Sequence, residues 1–304
     1  MFDVLTKVKD KNNRPAIFTI NSVVANPDFV KIKESNFLEY FYEPFTETLK
    51  RYPSHNNVLN LYKEGLKKGI IQVQFHGREH VHVLNWLNAL QKKEAHALDA
   101  FEENMFTVFR GWPSNCNKEY LDAMATYDIN QLRFLTLSIK KGVDLFRKIW
   151  GFQPLTLIPA CYSWSREAEK VFYENGFLTI QSGRVQREPY NEHKKQNTKL
   201  HRKYMGQKSQ HGLRYTIRNA IFEPKKNKTS DWVNITLREI ANAFLWHKPA
   251  IICSHRANYI GYLNSDNRSH SLKLLKALLK EITTKWPDVE FMSSDELAKL
   301  MHRN

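Results

Sequence analysis

The sequence predicts an α/β fold, read as a single-domain (β/α) barrel of parallel strands separated by helices. Three observations carry this. Short apolar strand candidates alternate with helix-period segments from about residue 15 to residue 300. The units number about seven, which favours a closed or nearly closed barrel over an open sheet. The 304 residues, 42% hydrophobic and 12% aromatic, can bury a large core, and no linker divides them. The domain is therefore read as 1–304, with one basic interruption at about 184–218.

In chain order, Pro15–Val24 is rich in β-branched and aromatic residues and predicts a buried strand, broken at Ala25-Asn-Pro-Asp28. Val58, Leu61, Tyr62 and Leu66 share one face of a helix over Asn57–Lys68, and Gly69 stops it. Ile70–Phe75 is the next strand, followed by a helix from about Val81 to Phe109. Ile129–Trp150 is helical and Leu155–Ile158 a strand. Ser165–Asn175 is a helix with Ser165 as N-cap and Gly176 closing it. Leu178–Ile180 is a strand, Trp232–Leu245 a helix, Ala250–Cys253 a strand and Ser271–Trp286 a helix. Val289–Met292 is the last strand, and Ser293 caps a terminal helix. Arg184–Arg218 holds ten basic and two acidic residues without periodicity, which reads as a long loop or insertion.

A formal net charge of +15 favours anionic partners. No apolar run approaches the roughly 20 residues that span a bilayer, and the N-terminus lacks signal-peptide features, so a cytoplasmic protein without a membrane role is expected. Cys116, Cys161 and Cys253 are widely spaced and form no Cys-x-x-Cys pair, so buried thiols are expected rather than a disulfide framework or thiolate zinc site.

The sharpest chemical signal is His76-Gly-Arg-Glu-His80, directly after a predicted strand. If a helix begins there, the i,i+4 spacing sets both imidazoles on one face, where they could share a divalent cation. In a parallel barrel the strands' C-terminal ends carry the site. His255 ends another predicted strand and is followed by Arg256.

These features together resemble the polysaccharide deacetylases, the family-4-type carbohydrate esterases. His76 and His80 match that family's metal-binding histidine pair, with Gly77 where Ser or Thr is usual. Leu157–Phe177 looks like its Arg-Pro-Pro-x-Gly stretch and following helix, Ile251–His255 like the late strand ending in the catalytic histidine, and Glu290–Leu297 like the closing strand and helix. The likeness runs from about Pro15 to Leu300. It implies an irregular seven-stranded barrel, a bound divalent metal, zinc first, and removal of an acyl group from a sugar or polysaccharide. It departs at Thr19-Ile-Asn-Ser22, where Asn21 and Ser22 stand in place of the catalytic and metal-binding Asp residues, and at Ile158, in place of an Arg.

The site expected on this basis has His76, His80 and Asp28 as metal ligands and His255 as general acid. Glu79, or else Glu223, activates water. Arg78, Asn219 and Trp164 contact substrate. Asp28 is equally readable as a turn residue, Glu43 and Glu223 as solvated loop carboxylates, and Trp112, Trp164 and Trp246 as a sugar-stacking platform or core aromatics. Two other functional readings stay open. One is a catalytically decayed relative that binds carbohydrate or assists surface-polysaccharide assembly. The other is polyanion binding through the basic segment, although the lack of any nucleic-acid motif argues against nucleic acid as the partner.

Overall fold

The computed structural model describes residues 1–55, 57–107, 120–189 and 198–303. Its strands are β1 (Phe18–Ser22), β2 (Ala25–Pro27), β3 (Tyr42–Pro44), β4 (Ile71–Phe75), β5 (Thr156–Leu157) and β6 (Thr179–Ser182). They continue with β7 (Val185–Glu188), β8 (Lys199–Arg202), β9 (Arg214–Ile217), β10 (Ala220–Ile221) and β11 (Ile252–Cys253). β1, β4, β5, β6 and β9 form one parallel sheet in that order. β10 and β11 form a separate parallel pair. The architecture is thus α/β with a parallel central sheet, and no ladder joins these two sheets among the described residues.

The sheet's inner face is partly polar. Gln74 accepts from the backbone N–H groups of Leu155 and Thr156 at 3.0 and 2.8 Å. The side-chain amides of Asn21 and Gln181 exchange reciprocal hydrogen bonds of 3.0 and 2.8 Å. Buried amides need such partners, so Asn21 is held as part of the packing beneath the strand ends. Against the sheet packs a large apolar cluster that includes Val73, Phe75, Phe146, Trp164, Phe172 and Leu278. A smaller cluster around Ile32, Trp86, Leu90 and Phe101 sits under the β2–β3 hairpin region.

Several expectations are corrected. The helix expected over 81–109 is two helices, Val83–Gln91 and Ala95–Glu102, because Lys93 turns the chain at φ 55°. Residues 108–109 lie outside those described. Ala25–Pro27 does not end strand structure but pairs antiparallel with Tyr42–Pro44. The basic segment is not a loop throughout: β7 and β8 form an antiparallel ribbon and β9 joins the central sheet. Val289–Met292 forms no strand. It is tied instead through the Lys11 N–H to Val289 carbonyl bond (3.3 Å) and the Phe291 N–H to Asp10 carboxylate bond (2.8 Å). The thiols are not both buried: Cys161 is exposed and Cys253 half-buried, while Cys116 lies outside the described residues. No described helix is long and apolar enough to cross a membrane.

Candidate active site

His76 follows the C-terminal end of β4. Its N–H donates to the Ser22 carbonyl at the end of β1 (2.9 Å), and its Nδ1 lies 2.7 Å from the Ile158 carbonyl just past β5. A carbonyl can only accept, so Nδ1 carries the proton and Nε2 keeps its lone pair. The His80 ring meets it edge-on, with centroids 4.8 Å apart. Between them the chain is a turn rather than the expected helix start. Gly77 has φ +109°, and a Cβ there would stand 2.8 Å from the Glu79 carbonyl oxygen, so only glycine suits the position. The helix begins at Val83, capped by His82, whose Nδ1 accepts from the Asn85 N–H at 3.4 Å.

Both imidazoles are held neutral at ordinary pH. Burial pushes His76 down to about 4, and the neighbouring His80 and Arg218 add to this against the Ile158 hydrogen bond. Burial also lowers His80, helped by Arg256 and opposed by Asp122. One guanidinium thus acts on each ring, Arg218 on His76 and Arg256 on His80, with the Asp122 carboxylate opposing the second.

Past the other strands the chain builds a second arrangement. Glu223 follows β10 and His255 follows β11. Glu223 is buried, with one carboxylate oxygen 2.5 Å from His255 Nδ1 and accepting the His255 backbone N–H at 2.9 Å. Its other oxygen accepts from the Asn258 side chain at 3.0 Å. The His255 side chain is 61% exposed. Beside it, Arg218 donates to Cys253 Sγ at 3.5 Å and to the Tyr162 hydroxyl at 3.4 Å. Burial raises the Cys253 thiol, against the pull of Arg218.

The other expected site residues lie elsewhere. Asp28 is the N-cap of the helix Phe29–Glu34: it accepts from the Lys31 N–H at 3.2 Å and pairs with the Lys31 ammonium at 3.3 Å. Arg78 and Glu79 form a buried ion pair, with Arg78 Nη2 donating to Glu79 at 3.0 Å and Ser138 to the same oxygen at 2.9 Å. The Arg78 guanidinium lies over the Tyr42 ring at 4.2 Å. Trp164 is fully buried, its indole N–H bonded to Glu169 at 2.9 Å. Asn219 clamps backbone: it donates to the Pro249 carbonyl at 3.0 Å and accepts the Ile251 N–H at 2.7 Å. Glu43 is bonded to Thr48 and Arg51. Of the three tryptophans, Trp246 is exposed, and Trp112 lies outside the described residues.

A catalytic zinc site takes three protein ligands and keeps one open position. His76 and His80 supply two, but no third His, Cys, Asp or Glu among the described residues completes a set with them. Among the described residues the one such trio is Glu223, Cys253 and His255, whose donor atoms lie within 4.8 Å of one another. The residues present do not assemble the expected His76, His80 and Asp28 shell. Sequence reasoning gave Glu223 a lesser place and did not single out Cys253 or Tyr162 for the site. Their signal is positional: each sits within a few residues of the C-terminal end of a short apolar strand.

No protein-family model matches the chain, and no curated protein matches it. Two of the solved structures similar to it show the level of likeness. One is a provisionally assigned polysaccharide deacetylase from Mycobacterium smegmatis, at 12% identity and TM-score 0.41, spanning 82% of this chain and 68% of that one. The other is Puue allantoinase, at 14% identity and TM-score 0.38, spanning 95% of this chain and 90% of that one.

Proposed function

We propose that this chain is a hydrolase of acyl-amide or acyl-ester bonds in which His255 transfers the proton. The observation that carries the reading is the Glu223–His255 pair. A buried carboxylate, fixed by two further donors, accepts from Nδ1 and so leaves Nε2 of an exposed imidazole able to take a proton. His255 Nε2 removes a proton from water as it attacks the acyl carbon. It then returns that proton to the departing nitrogen or oxygen. Glu223 is a positioning residue that also stabilises the transient imidazolium. Arg218 and the Tyr162 hydroxyl, already in contact, are the groups available to a developing oxyanion. An acylated sugar is the substrate class that the sequence resemblance supplies, and an anionic one suits Arg218, Arg256 and the net charge of +15.

A second reading is metal-assisted hydrolysis. It is favoured by the neutral His76 ring, whose Nδ1 is anchored on Ile158. Acetate release from p-nitrophenyl acetate and from N-acetylated chito-oligosaccharides separates the cases. Turnover that survives chelation and is lost in His255→Ala supports the first reading. Turnover lost on chelation and restored by zinc favours the second. Equal release by wild type and His255→Ala overturns the role of His255, and no release from any acylated sugar favours a decayed, carbohydrate-binding relative.

A further inference from the structure

On the other side of β9 and β10 lies a cleft of about 610 Å³ that the proposed chemistry does not use. Ile217 and Asn219 line it, while the side chain of the intervening Arg218 bonds to Tyr162 and Cys253. Its walls come from the base of the β7–β8 ribbon and the C-terminal end of the helix Trp232–Leu245. The Lys203 N–H donates to the Arg184 carbonyl at 2.9 Å, which extends the ribbon by one rung and sets Arg184 and Lys203 side by side. Across from them stand Trp246 and Lys248.

Two features mark this as a place for a ligand. Trp246 is 74% and Tyr204 67% exposed, large aromatic surfaces left to water at one cleft. Two cations line the same cleft, and no carboxylate among the described residues forms an ion pair with Arg184 or Lys248. The Lys203 ammonium, by contrast, is turned onto the Tyr215 ring at 4.2 Å and its hydroxyl at 3.1 Å. The one acidic residue in the lining, Glu239, is bonded to the Ile221 N–H at 2.6 Å. A helix C-terminus would repel an anion. Here, however, its last carbonyls accept the N–H groups of Trp246, His247 and Lys248.

We propose that this cleft binds an anionic sugar unit, a uronate or a sugar phosphate, with its ring against Trp246 and its charge between Arg184 and Lys248. The chemistry favours a sugar over a nucleic-acid strand. A single-stranded polyanion is tracked by an extended basic groove with successive stacking rings, about four or more nucleotides per site. This cleft offers only two exposed rings, Tyr204 and Trp246, beside the apolar Met205, Ile217 and Ala243. The inference is independent of the hydrolase reading, since none of its residues belongs to the His255 site.

Isothermal titration of the full chain with digalacturonate, glucose 6-phosphate, neutral chitotriose and a twelve-nucleotide single strand tests it. Every residue to be changed is exposed, and circular dichroism checks the fold. Saturable binding of digalacturonate or glucose 6-phosphate, weakened at least tenfold both in Trp246→Ala and in the Arg184→Ala/Lys248→Ala double variant, is the expected result. Preference between those two probes tells glycan from free sugar phosphate. Unchanged affinity in both variants, chitotriose binding as tightly as digalacturonate, tighter binding of the oligonucleotide, or no binding of either anionic sugar overturns it.

Discussion

Glu79 and Glu223 are both buried carboxylates paired with a basic side chain, and they sit in opposite roles. Glu79 pairs with Arg78, and the two side chains are only 4% and 5% exposed. Glu223 pairs with His255, where the carboxylate is 5% exposed and the imidazole 61%. The carboxylates are alike, so the partner decides. Arg78 is enclosed by Tyr40, Tyr42 and Phe134, and its backbone passes so close to Gly142 that a Cβ there would come within 3.2 Å of it. That pair can only hold structure. The exposed face of His255 can meet a substrate.

The largest effect is expected at Glu79. Glu79→Ala leaves a guanidinium buried without its anion and is expected to cost about 3–5 kcal/mol of unfolding free energy. Urea denaturation measures this, and turnover per folded molecule should be unchanged. A stable Glu79→Ala variant without activity would move Glu79 into the chemistry and erase the contrast. At the other pair the loss should appear in rate. His255→Ala is expected to lower kcat by about 10²–10⁴-fold while costing about 1–3 kcal/mol of stability, because the buried Glu223 carboxylate loses its imidazole donor.

Glu223→Gln sharpens the point by keeping shape and removing charge. The amide can no longer stabilise imidazolium, so kcat should fall about 10- to 100-fold. The loss should fall on kcat with KM little changed, since Glu223 acts through His255 and not on bound substrate. A purely structural Glu223 would lower the folded fraction and leave kcat per folded molecule in place.

The sequence made the parallel α/β alternation legible because β1, β4, β5 and β6 are short apolar runs between helices with clear caps: Ser165 accepts from the Ala168 N–H as its position foretells. It hid β7 and β8 because a two-stranded ribbon whose one buried side chain is the polar Gln186 has no apolar alternation to show. β9 carries a plain signal in Leu213-Arg-Tyr-Thr-Ile217, overshadowed by the surrounding charge. At the site, residue types at strand ends were readable for His76 and His255. Direction was not: a residue two places from His76 can turn into the core, as Arg78 does, because Gly77 reverses the chain between them.

Asp28 carries the smallest expected effect, and its test turns on the kind of loss. Its carboxylate holds the first turn of the helix Phe29–Glu34 through the Lys31 N–H and sits beside the Lys31 ammonium. Removing a capping side chain typically costs about 1 kcal/mol, and the largely exposed Lys31 pair adds little. Asp28→Ala should therefore unfold at slightly lower urea, and Asp28→Ser, which restores a capping oxygen, should recover most of the difference. Serine is a poor zinc ligand but a good cap. If zinc uptake, measured by equilibrium dialysis and metal analysis, falls in both variants while stability recovers only in the serine variant, then Asp28 reaches a metal in solution. Equal uptake by all three proteins, with stability following the capping oxygen, confines Asp28 to the helix and leaves the strand-end chemistry to Glu223 and His255.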